Sequence, residues 1–179
     1  MASFCENQKN YLKSLFFVLL SMSIYAQENL AGRVYYCGNL MEKELNDVKK
    51  ESANAAKEAK SQEEKDEAKS VDAITDAIVS KMTVKFIDDK TMELDLSVKF
   101  DEGKAKKNGA SWMMRKLVKM KMGKGQSQHG QTSYTVNGRR ITAKSLSKKN
   151  KTQSFELSQE GMTMTWIREN TKTVLKRIK

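Results

Sequence analysis

The sequence predicts a mainly β protein: an antiparallel meander closing into a barrel of about 8-9 strands, with a helical insert after the first strand. Three observations carry this expectation. From Met82 to Phe100, apolar residues keep a period of two: Met82, Val84, Phe86, then Met92, Leu94, Leu96, Val98 and Phe100. Glu93, Asp95, Ser97 and Lys99 fall between them, the mark of strands with one buried and one wet face. Further on, Asn137-Gly138 separates two alternating runs, the strongest short hairpin signal. The outward positions of these runs are charged and lack lipid-facing aromatic girdles. The meander must therefore hide its edges by closing in water rather than in an outer membrane.

The 179 residues suffice for one domain with a real core. Residues 1–26 read as a signal peptide. Lys9 and Lys13 precede the apolar run Leu15-Phe16-Phe17-Val18-Leu19-Leu20, and Ala26 offers a small residue at the cut. The run is too short to read first as a membrane span; an uncleaved N-terminal anchor is the less favoured alternative. The expected location is outside the cytoplasm, periplasmic or secreted, with 27–179 as the single mature domain. Cleavage removes Cys5 and leaves Cys37. In the apolar run Val34-Tyr35-Tyr36-Cys37 this thiol is expected as a small buried hydrophobe rather than a link to another chain.

Leu30 to Cys37 predicts the first strand, rich in β-formers and ended by Gly38-Asn39. The period then changes. Met41, Leu45 and Val48 recur at helical spacing, and Val71, Ile74 and Ile78 form a second stripe. Two helices are expected in an insert spanning about 40–81, near 40–59 and 66–81. The insert's many carboxylates are interleaved with Lys43, Lys50, Lys57, Lys60 and Lys65, which describes a solvated face rather than acid–base machinery.

After the 82–100 hairpin, Asp101 to Ser111 reads as a loop. Trp112 to Met122 fits either a strand, with Trp112, Met114, Val118, Met120 and Met122 inward, or a helix, with Met113, Leu117 and Met120 inward. The strand is preferred, because pairing it with 92–100 sets Glu93 and Asp95 beside Arg115, Lys119 and Lys121; it also turns Lys116 inward. Gly123 to Gln131 is expected as a polar loop holding the single histidine, His129. Around Asn137-Gly138 a two-residue turn would pair Val136 with Arg139 and Tyr134 with Ile141. Gln153 to Ile167 predicts a further hairpin about Ser158–Gly161, pairing Leu157 with Met162 and Phe155 with Met164. A turn at Glu169-Asn170-Thr171 leads to a terminal strand whose inward face is either Leu175 or Val174 with Ile178.

Taken together, Leu30-Ala31-Gly32-Arg33-Val34-Tyr35, the helical insert, Met82-Thr83-Val84-Lys85-Phe86, Tyr134-Thr135-Val136-Asn137-Gly138 and Val174-Leu175-Lys176-Arg177 give the chain an architecture that resembles the secreted lipocalin-like small β-barrel proteins of Gram-negative bacteria. The Gly-x-Trp start of that group appears only as Gly32-Arg33-Val34. The resemblance implies that a small apolar ligand is bound inside the barrel. Its lining would be Phe86, Met92, Leu94, Leu96, Met120, Tyr134, Ile141, Phe155, Met164 and Trp166; the favoured alternative is that these side chains simply fill a core, as in small barrels.

Charge suggests a different role. The chain carries 33 Lys+Arg against 22 Asp+Glu, a net +11. Between Glu102 and Lys151 there are fourteen Lys/Arg and one acid, Glu102. Such a basic half suits an anionic polysaccharide or lipid surface, with Lys119, Lys121, Arg139 and Arg140 as the candidate face. This alternative is an envelope interaction or structural protein. Export and the lack of stacking aromatics among the basic residues argue against nucleic acid. No cofactor or metal is expected, for want of a His/Cys cluster, P-loop or dinucleotide fingerprint. No nucleophile is paired with a base, so an enzyme is not expected. His129 in its Gly/Gln surroundings reads as solvated.

Overall fold

The computed structural model describes residues 29–123, 125–146, 151–168 and 171–179. The expected signal peptide, and Glu169 and Asn170 of the last expected turn, lie outside the described residues. Eight strands form a closed antiparallel barrel in sequence order: β1 Val34–Cys37, β2 Ile78–Phe86, β3 Thr91–Phe100, β4 Gln126–Asn137, β5 Arg140–Lys144, β6 Thr152–Leu157, β7 Thr163–Ile167 and β8 Lys172–Arg177. β1 closes the ring on β8, with Tyr35 opposite Arg177 and Tyr36 opposite Lys176. The first strand is thus shorter than the run of β-formers suggested.

The helical insert follows β1, as α1 (Glu42–Glu58) and α2 (Gln62–Asp76). The α2 helix opens four residues earlier than its apolar stripe indicated. Ser61 caps it, accepting from the Glu64 backbone N–H while the Glu64 side chain reaches back to the Ser61 N–H, a reciprocal arrangement that satisfies two unpaired donors. Residues 78–81, expected as helix, begin β2 instead. The β2–β3 hairpin has the predicted register face, with Met82, Val84, Phe86, Met92 and Leu94 all sealed inside.

Residues 101–125 depart furthest from expectation. Asp101 to Ser111 contains a short helix, α3 (Glu102–Lys107), and Trp112–Met122 is a helix, α4, not a strand. Ser111 caps α4 by accepting from the Met114 N–H at 3.3 Å, and Gly123, at φ +57°, ends it. The strand pattern failed because its period placed Lys116 inward, whereas the helix leaves Lys116 outside over the Trp112 ring. Met114 and Val118, one turn apart, pack instead on Ala73, Ile74, Ala77, Ala105 and Ala110. This makes a small second core between the helices and the barrel end. The partner of β3 is β4, with Leu94 opposite Gly130 and Asp95 opposite His129. The expected loop 123–131 is therefore largely strand.

Two hairpins slip in register while keeping their faces. Val136 pairs with Ile141 and Tyr134 with Ala143, so Gly138 and Arg139 form the turn, with Gly138 at φ +58°. Likewise Leu157 pairs with Met164 and Phe155 with Trp166. The connection is longer than expected because Ser158 N–H bonds to the Thr163 carbonyl and Gly161 takes φ +65°. In β8 it is Leu175 that faces in; Val174 and Ile178 are exposed.

The main core fills the barrel. Tyr35, Met82, Val84, Phe86, Met92, Leu94, Ile141, Phe155, Met164 and Leu175 have no accessible surface. Edge-to-face contacts join Tyr35 to Phe86 and Phe86 to Tyr134, at 6.0 and 5.0 Å between ring centroids. One end of the barrel is closed by tight turns, where the Tyr134 hydroxyl donates to the Asp88 carbonyl at 2.8 Å. Among the described residues, the four helices attach at the other end, at the ends of β1 and β3 and the starts of β2 and β4.

Candidate interaction surface at the helical end

The residues expected to line a ligand pocket divide into three groups. Phe86, Met92, Leu94, Ile141, Phe155 and Met164 are wholly enclosed and Tyr134 is buried. Leu96 and Trp166 pack against this core from half-buried positions. Met120 is not in the barrel at all: it lies on α4 and is 74% exposed, a consequence of the helix replacing the expected strand. A void wide enough for water would leave accessible surface on its lining. The enclosed side chains have none, so they form a close-packed interior rather than the wall of an open cavity.

The four basic residues expected to share one face do not. Lys119 and Lys121 are on α4 at the helical end, whereas Arg139 and Arg140 are at the β4–β5 turn. The intervening strand has 12 residues, on the order of 40 Å at the usual rise. The separation follows from the long β4, whose first half is too polar to announce a strand.

In place of that face, α3 and α4 assemble a different surface. Lys104, Lys106, Lys107, Lys116 and Lys121 are exposed on two consecutive helices. Lys119 is engaged with the sole acid of this segment, its Nζ 2.6 Å from Glu102 Oε2. That hydrogen bond is the main reason the Glu102 carboxyl sits below the usual carboxylate range. Arg115 is half-buried and its Nη1 donates to the Ala110 carbonyl at 2.6 Å, which fixes the start of α4. The Ser111 N–H donates to Ser70 Oγ on α2 at 3.1 Å, which ties α4 to the helical insert.

The α4 helix also exposes apolar side chains that sequence reasoning had turned inward. Trp112, Met113, Leu117 and Met120 are 61%, 65%, 43% and 74% exposed. Met113, Leu117 and Met120 fall at i, i+4 and i+7, hence on one stripe. The helix carries two apolar stripes, and among the described residues only the one bearing Met114 and Val118 is covered. The signal is present in the sequence, since those three residues share one helical face. What the sequence did not reveal was which stripe the small alanine-lined core would take.

A concavity of about 490 Å³ lies between the start of α1 and the β7–β8 connection, lined by Cys37, Leu40, Glu44, Asp47, Lys50, Arg168 and Thr173 among others. Arg168 spans it, with Nη2 3.1 Å from Glu44 Oε1 and bonded to Thr173 Oγ1 at 3.1 Å. These bonds lock α1 to the barrel wall. Cys37 is half-buried and packs on the core. Among the described residues no group of three His, Cys, Asp or Glu is placed to hold a metal. His129 is exposed on β4, not in a loop.

Architecture thus defines the class: a closed eight-stranded antiparallel barrel, consistent with a lipocalin-like fold, with helices collected at one end. Comparison with known proteins adds no family, since no family model, no curated protein and no solved structure matches the chain.

Proposed function

We propose that this is an exported, non-enzymatic barrel protein that engages an anionic partner through the surface of α3 and α4. The observation that carries the reading is the concentration of Lys104, Lys106, Lys107, Lys116 and Lys121 on two adjacent helices whose one acid, Glu102, is already paired. Exposed cations gathered on a rigid mount raise the local potential and draw polyanions. Export rests on the signal-peptide pattern of residues 1–26. The sealed interior disfavours the alternative of a small apolar ligand, which would require the core to open around it.

The test is binding to heparin, used as a soluble polyanion. The protein should be retained at low ionic strength and released as salt approaches about 0.5 M, where screening shortens the reach of exposed charges to a few ångströms. Changing Lys104, Lys106 and Lys107 to Gln should bring elution to lower salt, while Arg139→Gln and Arg140→Gln should have a smaller effect. Salt-insensitive retention, or an equal effect from the two groups of substitutions, would reject the assignment of the surface.

A further inference from the structure

We infer that the anionic partner is a lipid surface and that α4 lies in its headgroup region, with Trp112, Met113, Leu117 and Met120 inserted. The inference rests on the preceding reading and names the partner within it. A soluble polyanion would satisfy the lysines but leave the apolar stripe in water. A bilayer carrying anionic headgroups satisfies both at once. Helices that lie in a membrane interface combine an apolar stripe, an aromatic residue and flanking Lys/Arg, and α4 has all three in Trp112–Met122.

The mounting of the helix supports this role. Met114 and Val118 hold its inner face, Ser111 is fixed to Ser70, and Arg115 is fixed to the Ala110 carbonyl. The outer stripe is therefore presented in an ordered helix, so little conformational entropy remains to be lost on docking. Lys116 and Lys121 sit beside the stripe in sequence, and their aliphatic stems can follow the apolar residues inward while the ammonium groups stay at the phosphates. Lys116 Nζ stands 4.2 Å from the Trp112 ring centroid, so the cation and the aromatic ring would meet the headgroups together. Among the described residues no helix is long and apolar enough to cross a bilayer. Contact through α4 would thus be in the plane of the surface.

The experiment is flotation of the full chain with vesicles of phosphatidylcholine alone and with roughly one-third phosphatidylglycerol, a composition that supplies a negative surface potential. Heparin binding is measured in parallel. Every variant shares residues 1–28, so differences among variants report on α4. Trp112 emission reports its immersion directly, with Trp112→Phe identifying its share against the half-buried Trp166. The wild-type protein should float with the anionic vesicles, and Trp112 emission should shift to the blue. Met113→Ser with Leu117→Ser and Met120→Ser should weaken vesicle binding by about 100-fold or more, as expected for losing several inserted apolar side chains. These residues are exposed, so the circular dichroism spectrum and Tm should hold, and heparin binding should persist. Lys116→Gln and Lys121→Gln should each weaken vesicle binding roughly five-fold, from about 1 kcal/mol per basic residue near an anionic surface. Heparin binding without a Trp112 shift, or vesicle binding indifferent to the triple serine variant, would overturn the lipid inference and leave the anionic reading standing. Loss of both kinds of binding in the wild type would overturn both.

Discussion

Replacing Leu94 with Ala asks directly whether the barrel interior is a packed core. Leu94 lies at the middle of β3, between Val84 of β2 and Gly130 of β4, and has no accessible surface. Truncation removes its buried apolar atoms and leaves a hole that the rigid barrel wall cannot fully close. In such settings Leu→Ala costs about 2–5 kcal/mol. Taking about 3 kcal/mol, with about 2–4 °C per kcal/mol for a domain of this size, Tm should fall by about 10 °C. Urea unfolding should show a lower midpoint at an unchanged slope, because the area exposed on unfolding barely alters. The converse change, Leu94→Trp, should also destabilise, by about 1–3 kcal/mol or more, since an enclosed site has no space for added volume. If Leu94→Ala cost less than about 1 kcal/mol, as substitutions at exposed sites do, or if Leu94→Trp folded with full stability, the interior would hold a cavity. The barrel would then have room for an internal ligand.

Three further outcomes are expected. Glu102→Gln should release Lys119 from its ion pair and raise the salt needed to elute the protein from heparin; an unchanged or lower elution point would show that Lys119 takes no part. Tyr134→Phe deletes the hydroxyl that donates to the Asp88 carbonyl and should cost about 1 kcal/mol in urea unfolding. In the wild type, burial and then the Asp88 and Asp89 carboxylates push the Tyr134 phenol up, so Tyr134→Phe should remove one tyrosine from the late-ionising part of the ultraviolet titration. The Asp88 carboxyl is held low first by the Lys90 backbone N–H and further by Thr91. Its folded pKa lies below its unfolded one, so its stabilising contribution is present above about pH 4 and disappears as pH falls through the folded value. Asp88→Asn should flatten that part of the acid-unfolding curve; an identical acid profile would remove Asp88 as a cause.

The barrel was readable where side-chain alternation and burial coincide. Met82 through Phe86 and Met92 through Leu94 show their period in the sequence because one face meets the core and the other meets water. The β4 segment 126–131 was not readable, because its residues are mostly exposed and polar. Backbone pairing with β3 holds it, and backbone pairing leaves no trace in residue type. The registers of the β4–β5 and β6–β7 hairpins slipped for a related reason: alternation sets the face of a residue, while the turn sets its partner. At α4 the sequence contains helical and strand patterns at once. Capping by Ser111 and packing of Met114 and Val118 on the alanine-lined core decide between them, and Ala73 and Ala77 of that core are distant in sequence. The basic face failed for want of topology, since no local pattern tells that Arg139 and Lys119 lie at opposite ends of a strand.

The distribution of connections points the same way as the chemistry. At one end of the barrel the links are short: 87–90, 138–139 and 158–162. At the other, 145–151 and 168–171 are also short, but 38–77 and 101–125 are long and carry the helices. An up-and-down barrel needs only tight turns to close, and long connections add ordering entropy that their own packing must offset. The 38–77 link recovers that cost partly through the Ser52 hydroxyl bond to the Ala68 carbonyl and the Lys49–Asp76 pair. The 101–125 link buries Ala105 and Ala110 and half-buries Met114 and Val118 but leaves Trp112, Met113, Leu117 and Met120 exposed. Fold stability alone explains the first set and not the second. Four large apolar side chains facing water on a lysine-rich helix carry an aggregation hazard, and contact with an anionic, partly apolar surface would turn the same residues into a means of attachment. For that reason α4, rather than the barrel interior, is where substitutions should separate function from folding.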